Sequence, residues 1–239
     1  MRQVRRIIEV NAADRLHGPG HDRRLAWHYW ALGQAARRMA EPHRQDAVDL
    51  AGHFVGCQPS DQLAVALMVV GADALLDQHP SSLEAATVLR RSAALLHRPR
   101  PAPDWCWPEP ELDPIDALLP HALIAAGKRL AQGALVRSGL VLLDWRLDHN
   151  GSSDDPVREL AVSVAACARA FEATGNIAWA RRATELASTL AIETPLRNRD
   201  ACAWRLTRLL LDGLRGAEVT HEASGDGSHA AAGLVIVGR

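Results

Sequence analysis

Apolar residues recur at spacings of three and four through block after block of this chain, as in Leu63, Leu67, Val70 and Ala74 and again in Leu118, Ala122 and Ala125. That period matches the 3.6-residue turn of a helix and gathers each set on one stripe, whereas a half-buried strand needs strict alternation. Ala, Leu and Arg dominate, with only one Tyr and two Phe in the whole chain, so the residues that favour strands are scarce where helix formers abound. The expected fold class is therefore all-α.

Punctuation divides the pattern. Ser60 after Pro59, Ser81 after Pro80, Asp113 before Pro114 and Asp155 before Pro156 read as N-caps, and Gly175 followed by Asn176 reads as a stop. Helices are expected near 2–16, 24–39, 42–55, 60–77, 81–97, 115–131, 133–148, 156–174, 177–191 and 200–214. Most of their connections are short, which forces consecutive helices to lie antiparallel as αα-hairpins. The hairpins resemble one another weakly, each placing a glycine or small residue in mid-helix. Glycine inside a helix costs about 1 kcal/mol against alanine, so its recurrence at Gly33, Gly71 and Gly127 points to close backbone approach between packed helices.

With 239 residues one core suffices, and a single helical domain over 1–215 is expected. The Gly-, Ser-, Ala- and His-rich stretch 216–239 lacks any period and is expected to form a flexible tail. No window approaches the roughly 18 uncharged apolar residues of a membrane span. A formal net charge of −1 argues against a nucleic-acid footprint, although Lys128 is the only lysine. Cys57, Cys106, Cys167 and Cys202 form no Cys-x-x-Cys pair, and the start Met1-Arg-Gln-Val-Arg-Arg lacks the apolar core of a signal peptide. A cytoplasmic protein with reduced thiols is the expectation.

Residues 98–114 break the helical rhythm with six of the thirteen prolines. Trp105, Trp107, Glu109, Glu111 and Asp113 lie there, with Asp116 and His121 just beyond. An extended backbone would put the first five on one edge; a polyproline II helix would align Trp107, Asp113 and Asp116. Either pairs indole with carboxylate, the combination of flat apolar face and charged acceptor that suits a sugar ring. The alternative is architectural: tryptophans plug the end of the hairpin stack, Asp113 caps a helix, Asp116 sits in its first turn and the glutamates are solvated. His17, His21 and His28, or Cys106 with His121, match no zinc spacing, so no metal is expected, and no phosphate-binding or dinucleotide motif calls for a cofactor. Trp27, Trp30, Trp145, Trp179 and Trp204 fall at helical positions and are expected to anchor the core.

The runs Trp105-Cys-Trp-Pro-Glu-Pro-Glu-Leu, Ala117-Leu-Leu-Pro-His-Ala-Leu-Ile-Ala-Ala-Gly, Gly139-Leu-Val-Leu-Leu-Asp-Trp-Arg-Leu-Asp and Ala165-Ala-Cys-Ala-Arg-Ala-Phe-Glu-Ala-Thr-Gly-Asn resemble the α-helical domain of bacterial glycosyltransferase-associated proteins, which has the (α/α) toroid shape of six-hairpin glycosidases. The similarity runs from about Trp27 to Leu190, and Trp-Pro-Glu-Pro is its most specific part. It implies antiparallel hairpins in a toroid, incomplete here because a full ring needs twelve helices. It further implies a role in carbohydrate metabolism, with a glycan ligand or a glycosyltransferase partner and the 98–114 loop facing glycan at one rim; Trp105, Trp107, Glu109, Glu111, Asp116 and His121 are then the expected sugar contacts. The chain departs from the family between Asp148 and Leu160, where a longer Gly-rich loop and an acidic, glutamine-containing motif are missing. It departs again after Pro195, where Gly-rich segments are missing, and so it reads as a shortened or frame-disrupted member. The resemblance assigns no catalytic residue. Acids confined to one proline-rich loop make a poor hydrolase, since glycosidases hold two carboxyls across the scissile bond. An alternative from another class is a tetratricopeptide-like hairpin scaffold that binds peptides on a concave face.

Overall fold

The computed structural model describes residues 19–99, 105–108, 116–149 and 155–197. Eight helices and no strand occur among them: α1 (Pro19–Arg38), α2 (His43–Gly52), α3 (Gln62–Gln78), α4 (Leu83–Leu95), α5 (Leu118–Arg129), α6 (Gly133–Asp148), α7 (Pro156–Thr174) and α8 (Ile177–Arg197). The all-α expectation holds for these residues, whereas the expected helices 2–16 and 200–214 and the tail 216–239 lie outside them. No helix among the described residues is long and apolar enough to cross a membrane.

Helix starts follow side-chain chemistry, with two shifts of one residue. Asp155 caps α7 by accepting from the Arg158 N–H at 3.2 Å, with Pro156 at the first helical position as the sequence indicates. For α3 the cap is Asp61, which accepts from Ala64 N–H at 3.0 Å, not Ser60. Ser60 instead donates its N–H and hydroxyl to Asp22 Oδ2 at 3.1 and 3.0 Å, while Arg23 holds both oxygens of Asp61 at 2.9 Å. Contacts from α1 thus decide which residue caps α3. Likewise Ser82, not Ser81, caps α4. Helix α1 begins five residues earlier than expected, because proline at a helix start loses no needed hydrogen bond and Gly20 can follow it. Gly175, at φ 68°, ends α7 with its N–H on Phe171 O.

The chain divides into two compact units, Met1–Glu111 with Leu118–Trp145, and Leu112–Ala117 with Arg146–Arg239. In the first, α3 is buried on every side from Ala64 to Leu76 and packs against α1, α4 and α5. An added Cβ at Gly33 would lie 2.5 Å from Gly71 O, so α1 and α3 meet backbone to backbone as the glycine pattern suggests. The α5–α6 hairpin closes the same way: a Cβ on Gly127 would lie 2.6 Å from Val136 N, and one on Gly139 would lie 2.9 Å from Pro120 O. Asp73, 2% exposed, accepts from Arg129 Nε at 3.0 Å, and Arg129 also pairs with Asp77. In the second unit α7 packs on α8, with Val157, Ala161 and Leu190 buried between them and Leu160 alongside. Arg146, 3% exposed, pairs with Glu159, 7% exposed.

Candidate functional site

A proline-rich segment has no helical stripe of its own to bury, so its aromatic residues must find partners elsewhere. Trp107 is 1% exposed and stacks on Trp145 of α6, ring centroids 5.9 Å apart and planes 25° apart. Trp105 is half-buried and meets Trp145 edge-on at 5.2 Å and 76°. Both are favourable geometries for ring quadrupoles. Between them Cys106 is buried, and burial pushes its thiol pKa up. Pro108 is buried as well, and its ring fixes its own φ and restricts the backbone of Trp107 before it.

The structure therefore brings Trp105 and Trp107 together through Trp145, which the helical periodicity assigns only to the core. It also redistributes burial among the tryptophans. Trp107 is fully buried, while Trp145 and Trp179 are half-buried. Trp27 is 37% exposed and meets the half-buried Trp30 edge-on at 5.3 Å. Helical position alone does not make these four fully buried anchors, because a stripe's edge faces solvent even when its centre does not. Trp204 lies outside the described residues. With one indole face on Trp145 and almost no exposure, Trp107 acts as the base of the cluster, and its partly exposed indoles are Trp105 and Trp145.

His121 is half-buried near the start of α5. Because α5 and α6 run antiparallel with Gly139 against Pro120 and Ile124, that start lies at the Trp145 end of the hairpin. Asp116 is half-buried and belongs to the second unit. Glu109, Glu111 and Asp113 lie outside the described residues. Among the described residues no three His, Cys, Asp or Glu side chains converge as a metal site requires. Cys57, Cys106 and Cys167 are free thiols. Comparison with protein-family models, curated proteins and solved structures finds no match to this chain.

Proposed function

We propose that the chain is a carbohydrate-associated helical domain of the incomplete-toroid type, which binds glycan or assists a glycosyltransferase partner and is itself a poor hydrolase. The observation that supports this is the three-indole cluster: Trp105 is held edge-on by Trp145, which is in turn backed by the buried Trp107. A sugar's C–H face stacks on an indole that is already fixed, so little side-chain entropy is lost on binding. Glu109, Glu111 and His121, close to the cluster in sequence or at the same hairpin end, are the proposed hydroxyl partners.

Thermal-shift screening of the whole chain against oligosaccharides tests the reading. Ligand at about 100 times Kd stabilises by about 2.7 kcal/mol, which for a chain of this size is roughly 5–11 °C. Trp105→Ala should abolish the shift while leaving the fold intact by circular dichroism. A wild-type chain that responds to no glycan, or a Trp105→Ala variant that responds as well as wild type, refutes the reading, and capture of a peptide would then favour the scaffold.

A further inference from the structure

A cavity of about 430 Å³ opens in the first unit, well away in sequence from the tryptophan cluster, and its walls come from α1, α2, the end of α3 and the start of α4. Its lining is graded. Tyr29, Ala51, Leu75 and Ala85 contribute apolar wall and are 1–4% exposed. Asp49 on α2 and Glu84 on α4 line it as well, both exposed. No lysine or arginine is among the lining residues.

Both carboxylates are oriented by neighbours. Gln45 Nε2 donates to Asp49 Oδ1 at 2.7 Å, and Ser82 Oγ donates to Glu84 Oε2 at 3.3 Å. The second oxygen of each is engaged by no other described residue. Two helix C-termini add to the field, since Ala51 and Gly52 end α2 and His79 caps α3, and neither helix has a basic residue in its last turn. Each such end carries roughly half a negative charge. Asp77, in the last turn of α3, is already covered by Arg37 and Arg129. The opposing positive end, the start of α4, is neutralised by the Ser82 cap on Ala85 N–H and by Glu84 in its first turn. What remains is a negative potential over an apolar wall.

We propose that this cavity binds a small primary alkylammonium ligand, its aliphatic stem against Tyr29 and Leu75 and its ammonium between Asp49 and Glu84. An anion is disfavoured by every charge on the lining, and a bare metal ion would lack a third His, Cys, Asp or Glu ligand among the described residues. The inference stands apart from the glycan reading, as it shares no residue with it.

The test is calorimetric or NMR titration of the full chain with n-butylamine, beside n-butanol and butyrate, which match its length but are neutral or anionic. Butylamine should bind and the other two should not. Asp49→Asn and Glu84→Gln, isosteric changes at exposed positions, should each weaken butylamine by roughly fivefold, as expected for a partly solvated ion pair, and together by about twenty-five-fold if they add. Raising salt should weaken the wild type and spare the double variant. Nα-acetyllysine amide, carrying the same ammonium on a peptide-like stem, distinguishes a lysine side chain from a free amine as the source, with the same two losses required. No butylamine binding, equal binding of butanol, or affinity unchanged in the double variant overturns the proposal.

Discussion

Replacing Gly33 by alanine puts a methyl group where two helix backbones touch. The new Cβ would lie 2.5 Å from Gly71 O and 3.0 Å from Gly71 Cα, about 1 Å inside the separation at which such atoms attract. Neither obstacle is a flexible side chain, so α1 and α3 must part, and the contacts between them loosen together. Overpacking of this kind costs about 1–3 kcal/mol. Because the rigid central helix α3 cannot yield on its buried sides, about 3 kcal/mol is the appropriate figure. Alanine returns about 1 kcal/mol of helix propensity, leaving a net loss of about 2 kcal/mol, or roughly 4–8 °C in Tm. Gly52→Ala is the matched control. Its Cβ meets nothing within 4 Å, so only the gain from a stiffer unfolded chain remains, about 0.4–1 kcal/mol. Urea and thermal melts followed by circular dichroism read both. Adding Gly71→Ala, whose Cβ would lie 2.8 Å from Tyr29 Cδ1 and 3.0 Å from Trp30 Cα, should cost less in the Gly33→Ala background than alone, because the helices have already parted. If Gly33→Ala melts at or above wild type while Gly52→Ala is also stabilised, the backbone contact between α1 and α3 does not carry the packing of the first unit.

Two other perturbations follow from buried ionisable groups. In the second unit, Glu159→Leu takes the carboxylate from the Arg146 cation, which is 3% exposed and also donates to His149 O at 3.3 Å, and should cost about 3 kcal/mol, whereas the Arg146→Met, Glu159→Leu pair should recover most of it; urea midpoints in which the two changes simply add would refute the buried-pair account. Burial pushes the Cys167 thiol up to about 12 against the opposing pull of Arg182, and burial likewise raises the Tyr29 hydroxyl. A raised folded pKa means the folded chain keeps a proton that the unfolded chain loses, so this contribution is whole below about pH 8.5 and declines as pH climbs toward about 12. Urea midpoints should fall between pH 8 and 10.5, and Cys167→Ala should flatten that slope; a slope the variant leaves untouched would mean the thiol is not held neutral by the fold.

What the chain reveals before folding is what depends on neighbours in sequence. Asp155-Pro156 and Gly175 mark the two ends of α7 because capping is settled within a turn. The cap of α3 is not, since Ser60 and Asp61 are both competent and the choice is made by Asp22 and Arg23, 38 residues away on α1. Gly33, Gly71 and Gly127 announce close approach, yet nothing local says that Gly33 meets Gly71 rather than a side chain. Gly139, equally tight against Ile124 and Pro120, escapes the pattern because it sits in a return helix. Tryptophan burial is the sharpest case. Period assigns Trp27 and Trp145 to a stripe, but a stripe has edges, and the proline-rich segment that has no period supplies Trp107, the most deeply buried indole among the described residues.

The same limit applies to the cavity. Asp49 and Glu84 are ordinary exposed acids on amphipathic helices, each satisfying the usual rule that a charge faces solvent. No motif or spacing joins them; the packing of α2 and α4 does. Their electrostatic meaning also depends on charges that are missing, and a missing lysine is visible only once the walls are known. A motif search therefore leads to Trp105-Cys-Trp-Pro-Glu, where unusual residues crowd one loop. A field argument leads to Asp49 and Glu84, where common residues share one cavity. The two sites make independent demands on the protein: Trp105→Ala should leave butylamine binding at the wild-type level, and the Asp49→Asn, Glu84→Gln pair should leave any glycan shift unchanged. Cross-talk in either direction would show that a single ligand bearing both sugar and amine, or one coupled unit, underlies both readings.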